Sequence, residues 1–299
     1  MLGSVFFASH DKSDEKYRWR VEYPTEKFDG IQLSRKIVSD YDKTGLNLRL
    51  YQYQTCPYCC KVRAFLDYYG FSYEVVEVNP VTRSQLKTIT KGYKKVPVVT
   101  TSQVKEPLVE SSLIISTIAT FLIRPKLTLD GCIEFYPIVE GHNKESGKVE
   151  PKYPNKFYVM FQDSLTSQEQ IQNAREEREW REWVDHHFIH LISPNVYRTW
   201  NEALDTFYFF NHIGEWERNF PTWERYLAIY AGAAAMYFIS KRLKKRFVYF
   251  VKIDYTIYTI TILANFFYYF DDFSQSLEEL VVHPRLVLMS HSKRFFCPK

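Results

Sequence analysis

Two cysteines three residues apart, Cys56 and Cys59, enclose Pro57 and Tyr58. A thiol pair at this spacing has three chemistries open to it: half of a tetrahedral zinc site, thiol and electron transfer through disulfides, or plain packing of two buried thiols. Structural zinc wants four ligands, and Cys132 and Cys297 stand alone where a second pair would be needed, so no metal site is expected. Thiol chemistry is favoured by what flanks the pair. Leu46, Leu48 and Leu50 alternate with Asn47 and Arg49, as in a half-buried strand. After the pair, Cys59, Val62, Phe65, Leu66 and Tyr69 recur at helical steps, as on a buried helix face. Cys56 therefore falls at a strand-to-helix turn. Pro57 suits the first helical position, where its missing N–H would be unpaired anyway. The free N–H groups and positive dipole end of that helix favour a thiolate at Cys56. Cys59 lies a turn further in and is expected to be less acidic. Cys60 points roughly a hundred degrees away around the helix and reads as a packing or surface residue.

The elements that must position this turn follow in order. A helix is predicted over Pro57 to Tyr69, a turn at Gly70, a strand over Phe71 to Val78 and a short helix over Arg83 to Thr90. Two strands joined by a helix imply a parallel pair with a right-handed crossover. Lys95 to Thr100 and Pro107 to Glu110 read as a hairpin, and Ser111 caps a helix whose apolar face is Leu113, Ile114, Ile118 and Leu122. This β-α-β-α-β-β-α order, with cysteine at the first helix start, is the thioredoxin-like arrangement. Pro97 is awkward inside a ladder. A cis Val96–Pro97 peptide at a turn facing the cysteine would resolve that and leave the Val96 backbone groups for a ligand.

At 299 residues the chain has room for about two domains. A formal charge of +4, with bases dispersed except in Lys241 to Arg246, is too small to argue for nucleic acid. Five cysteines, an odd number in a chain this long, favour a reducing compartment over a disulfide scaffold. Residues 1–45 are mixed and polar and are expected to form a loose arm, with neither signal nor transit peptide character. Residues 46–124 form the thioredoxin-like domain, and 125–156, rich in Gly and Pro, a connecting segment with one hairpin. Residues 157–246 make an all-helical domain. Its first long helix runs over Gln168 to Ile192 and is stopped by Ser193-Pro194-Asn195. A second runs over Trp223 to Arg246, and its stretch Ala231-Gly232-Ala233-Ala234-Ala235 lets another helix come close. The uncharged run Tyr226 to Ser240 is short of the ~20 residues that a bilayer span needs.

The blocks LYQYQTCPYCCKVRAFLDYYGFSYEVVEVNPVTR, YKKVPVV, ESSLIIS, HLISPNVYRT and AGAAAMYFISKRLKKR, in this order, resemble the membrane-associated prostaglandin E synthase family of glutathione transferase architecture. The resemblance covers about Leu46 to Arg246. It implies an α/β thioredoxin-like domain followed by an all-α glutathione transferase-like domain, a homodimer, and isomerisation of prostaglandin H2 to prostaglandin E2. Glutathione and, with it, haem are the implied cofactors, with the glutathione sulfur as axial ligand. By motif, Cys56 is the position associated with catalysis, with Tyr53, Tyr58 and Cys59 beside it. Tyr53 is the candidate to hydrogen-bond the Cys56 sulfur. Val96 with Pro97, and Glu110 with Ser111, correspond to glutathione-binding positions. Glu110 stands where aspartate is usual. The implied location is a Golgi or mitochondrial membrane, or the cytoplasm without the anchor, which is not visible here. The same Cys-Pro-Tyr-Cys motif belongs to glutaredoxins, so a glutathione-dependent thiol oxidoreductase is the alternative, and a non-catalytic haem or glutathione binder a third.

After Arg246 the resemblance stops. Residues 247–299 are dense in aromatic and β-branched residues, and their uncharged stretch Tyr255 to Phe270 is short for a span. This tail is expected to stem from an alternative or mis-spliced gene model, leaving the helical domain incomplete and apolar surface on Trp223 to Arg246 exposed.

Overall fold

The computed structural model describes residues 19–25, 27–28, 30–142, 149–161 and 168–247; the tail expectation, for residues beyond 247, lies outside them. Along the chain run β1 (Trp19–Glu22), β2 (Lys27–Phe28), β3 (Ile31–Gln32), β4 (Arg35–Ser39), β5 (Leu48–Gln52), α1 (Pro57–Tyr68) and β6 (Tyr73–Glu77). Then come a 3₁₀ turn at Ser84–Leu86, β7 (Val98–Thr101), β8 (Val104–Val109), α2 (Ser111–Ile123), α3 (Leu129–Ile133) and the hairpin of β9 (Val139–His142) and β10 (Val149–Lys152). The helical part comprises α4 (Gln168–Trp183), a π-helical turn (Val184–Phe188), α5 (Ile189–Val196), α6 (Trp200–Ile213), α7 (Trp216–Asn219) and α8 (Thr222–Phe247).

The main sheet has the order β1-β4-β6-β5-β7-β8, with β5 parallel to β6 and antiparallel to β7. Alternation on β5 explains its central place. Leu48 and Leu50, with Leu46, face α1 and α2, where Val62, Leu66, Ile114 and Ile118 complete one core. Tyr51 turns to the opposite face and joins Leu33, Val76, Val78, Leu86 and Val98. With both faces covered, neighbouring residues such as Val75 and Val76 are both buried, as a central strand requires. Pro107 sits in β8, at the sheet edge, where a missing donor is tolerated.

Three expectations are corrected. The arm is not loose over its described residues: β1 and β4 extend the sheet beyond β6, and Ile37 is buried there. Edge pairing is made by backbone groups, so a strand amid Arg and Lys leaves little periodicity to read. In place of a helix over Arg83 to Thr90 there is one 3₁₀ turn, after which the Thr90 hydroxyl bonds back to the Leu86 and Tyr93 carbonyls at 2.9 and 2.8 Å. Pro194 does not stop the long helix. It lies inside α5 two residues before the end, where it costs one ladder bond. Beyond these, α6 opens on a capping box between Thr199 and Glu202.

The helices have their own core of Tyr197, Ala203, Phe207, Trp216, Phe220, Ala228, Ile229 and Ala233. Gly232 is the close-approach point: a Cβ there would come within 2.2 Å of the Phe207 ring. No described helix is long and apolar enough to cross a membrane.

Candidate functional site

Cys56 caps α1 with extended backbone (φ −71°, ψ 122°), and its carbonyl accepts the Cys60 N–H at 2.8 Å. Its thiol is drawn down to about 7, first by a hydrogen bond from the Cys59 thiol, then by the N–H groups of Cys59 and Tyr58 and the nearby Arg63, all working against burial. Cys59, fully buried, goes well above the usual thiol range because of burial and its bond to Cys56. The asymmetry is that of a helix start set against a helix interior.

The other predicted residues converge on this turn by register. Tyr51 of β5 pairs with Val98 of β7, so Val96 and Pro97, just before β7, run beside Tyr53, just after β5. The Val96–Pro97 peptide is cis, and Tyr53 and Val96 pack against the same core. Tyr53 departs from its expected role. Its hydroxyl is hydrogen-bonded to Arg83, and burial pushes the phenol up; the hydrogen bonds that lower the Cys56 thiol come from Cys59 and the two amides. Tyr58 reaches across to the helices, donating to the Asp185 carbonyl at 3.4 Å, and its phenol is pushed up to about 12 by burial and then by Asp185, Cys56 and Glu110. Glu110 caps α2 at φ 67°, an uncommon conformation for a non-glycine residue, and Ser111 behind it is buried. The Glu110 carboxylate lies 3.5 Å from Lys156 Nζ and accepts from Tyr93 at 3.4 Å. A cavity of about 750 Å³ opens from Glu110 between residues 151–158 and α4, lined among others by Lys156, Tyr158 and Arg178. Cys56 is not in its wall.

Several groups at the site were not singled out in the sequence. Lys61, one turn into α1, forms an ion pair with Asp185 at 2.7 Å and bonds Ser112 at 2.9 Å, while Ser112 donates to the other Asp185 oxygen at 2.7 Å. Asp185 is the second residue of the π-helical turn, a kind of insertion found frequently at functional sites. Tyr197, at the end of α5, is held protonated by burial, and a charge on Cys56 pushes it further. Only the block HLISPNVYRT pointed to it. Cys60 is half-buried, as expected of a packing residue, with Arg63 Nη2 at 3.1 Å from its sulfur. Among the described residues, no group of three or more His, Cys, Asp or Glu is gathered for a metal ion.

Residues 50–120 match the family model for the glutathione S-transferase N-terminal domain. The chain is 44% identical over 208 residues to prostaglandin E synthase 2 of Danio rerio, covering 69% of this chain and 53% of that protein. To the protein of the same name from Mus musculus it is 44% identical over 207 residues, covering 68% and 52%. The chain thus spans about half the length of the curated relatives it matches. Its first part has the thioredoxin-like fold, followed by a helical region.

Proposed function

We propose that the chain isomerises prostaglandin H2 to prostaglandin E2 with Cys56 as the reacting thiolate. The observation that carries this reading is the thiol drawn down to about 7 at the start of α1, with protonated phenols of Tyr58 and Tyr197 nearby. The likeness to the synthases of fish and mouse supplies the substrate.

In this reading the Cys56 thiolate attacks the endoperoxide oxygen carried by C9. The O–O bond breaks, its electron pair stays on the C11 oxygen, and a phenol, that of Tyr58 or Tyr197, supplies the proton there. Removal of the C9 hydrogen by a base then forms the C9 carbonyl and expels the thiolate from sulfur–oxygen bonding. Every atom of the substrate is retained and no external reductant is consumed. Tyr53 shapes the pocket wall, and Cys59 holds the thiolate by hydrogen bonding.

The donor set fits glutathione: Val96 before the cis Pro97 offers backbone groups to the cysteinyl part, Glu110 an anion for the ammonium, and the α2 start at Ser111 N–H groups for the γ-glutamyl carboxylate. When bound, glutathione supplies a second thiol. Haem belongs to this reading by the resemblance alone, with the glutathione sulfur as its ligand; His186 lies 3.8 Å from Glu182 and against Phe157, and His187 stacks on Trp183. A homodimer and attachment to a membrane belong to the same reading and rest on the resemblance.

A second reading is favoured by the hydrogen bond between the two thiols. It is a glutathione-dependent oxidoreductase in which Cys56 attacks a mixed disulfide, the partner thiolate leaves, and Cys59 resolves the new one. Assay of prostaglandin H2 conversion beside reduction of a small glutathione mixed disulfide separates the two. The first activity alone, lost in Cys56→Ser, supports the isomerase; the second alone supports the oxidoreductase. A Soret band that needs both haem and glutathione, with neither activity, would leave a binding protein.

A further inference from the structure

Glu77, at the end of β6, is almost wholly buried, at 3% exposure, and the chemistry above leaves it without a part. Its carboxylate does not merely fill space. One oxygen accepts the Gln54 N–H at 2.7 Å and the other the Gln52 side-chain amide at 3.4 Å. Gln52 ends β5, and Gln54 lies in the short connection that leads from it to Cys56. Arg63 grips the same connection from α1, donating to the Gln52 side chain at 2.5 Å and to the Gln54 carbonyl at 2.9 Å, and it reaches the Cys60 sulfur at 3.1 Å. Arg35 of β4 closes the ring on the Gln54 side-chain oxygen. One guanidinium therefore shares the Gln52 side chain with a buried carboxylate, and its charge acts on Cys56, Cys59 and Cys60 as well as on Glu77.

We infer that Glu77 is a positioning residue of the dithiol: it fixes the Gln52–Cys56 connection and, through the shared Arg63, makes the reactivity of Cys56 depend on a charge buried behind the motif. An ionised Glu77 acts on Arg63 by charge, across the Gln52 side chain that both hold, and opposes a thiolate, whereas a neutral one leaves the guanidinium to the thiols. Burial pushes the carboxyl up to about 7, against the lowering influence of the Gln54 N–H, Arg35 and Arg63. It therefore changes charge over the same pH range as Cys56. The charged and titratable groups around it are Arg35 on β4, Arg63 with Cys59, Cys60 and Asp67 on α1, and Tyr73 on β6. Two groups titrating together and opposing each other give a curve broader than a single proton's.

The inference rests on Cys56 being the reacting thiol, which Cys56→Ser tests separately by abolishing fast alkylation. The experiment is the rate of iodoacetamide alkylation at Cys56, read by peptide mass against pH from 5 to 10, in the full chain carrying Cys60→Ser, Cys132→Ser and Cys297→Ser, with and without Glu77→Gln; the buried Cys59 is kept because its thiol bonds Cys56. Glutamine keeps an acceptor for the Gln54 N–H and removes only the charge. The parent profile should be broader than a one-proton curve; Glu77→Gln should sharpen it and move its midpoint down by about half a pH unit or more. Arg63→Gln should move the midpoint up, and Glu77→Gln should then have a smaller effect in that background. Far-ultraviolet circular dichroism and melting establish that each variant is folded. Should Glu77→Gln not fold, Arg63→Gln alone decides: an unmoved midpoint overturns the inference. Superposable profiles for parent, Glu77→Gln and Arg63→Gln overturn it as well, and leave Glu77 a buried strand-end residue only.

Discussion

Around the sheet, buried polar groups answer one another: Glu77 with the Gln54 amide, Gln52 with Arg63, Tyr73 with Asp67 at 2.6 Å. Among the helices the contacts that matter are contacts of shape, with Phe207 lying over Gly232 and small Ala228 and Ala233 beside it. The candidate site lies where the two meet, because Tyr58 and Lys61 of α1 both reach Asp185. Charge should therefore govern the sheet side of the site, while packing should govern how firmly the helices are presented to it.

The sharpest way to break this contrast is Gly232→Leu. Phe207 is buried, with the rings of Tyr197 and Phe210 beside it, so a bulky side chain at Gly232 pushes α6 and α8 apart. A loss of about 3 kcal/mol or more is expected. Hydrogen exchange should show protection falling in α6 and α8 while β5 and β6 keep theirs; equal loss in both would mean that sheet and helices form one cooperative unit.

Asp185→Ala tests the joint itself. It leaves Lys61 without its carboxylate and Ser112 without its acceptor, at a cost of about 2 to 3 kcal/mol given that the lysine is partly exposed. A double-mutant cycle with Lys61→Ala in urea unfolding measures the coupling. Additive losses would dissolve the joint into unrelated contacts.

Much of the sheet could be read from residue types, because period-two alternation and a helix start with proline are local. Leu46 to Leu50, the Cys56 cap and the cis Val96–Pro97 bond were all legible for that reason. Asp185 was not. It lies 124 residues from Lys61, within a π-helical turn that leaves no mark in residue spacing. Glu77 was hidden differently. A carboxylate at the end of an apolar strand reads as the strand's exit to solvent, and only the fold shows that β4 and the Gln52–Cys56 connection cover it.

Glu77→Gln also carries a stability signature. With its folded value pushed up to about 7 and an ordinary unfolded one near 4.5, the native chain keeps a proton between these values that the unfolded chain has released. Stability falls as pH rises through that window, and the loss is complete above about 7. The variant should lack this slope and gain about 3 kcal/mol at pH 8 relative to pH 4, compared with the parent. Urea unfolding at the two pH values checks it. An identical slope in both would place the titrating group elsewhere.

The smallest effect is expected on the outer face of α8, where Trp223 is 63% and Phe238 67% exposed. Trp223→Ser should change stability by about 0.5 kcal/mol or less, since exposed side chains lose little on truncation. On the inner face of the same helix, Ile229→Ala should cost roughly 2 to 4 kcal/mol, because Ile229 is 1% exposed within the aromatic core. Helix propensity changes little between these substitutions, so the difference measures burial alone. A loss above about 1 kcal/mol for Trp223→Ser would mean that the outer face is covered. If that loss grew with protein concentration the cover would be a second copy of the chain; if it did not, the cover would come from within the same chain. Either result would move α8 from the bare side of the comparison to the packed one.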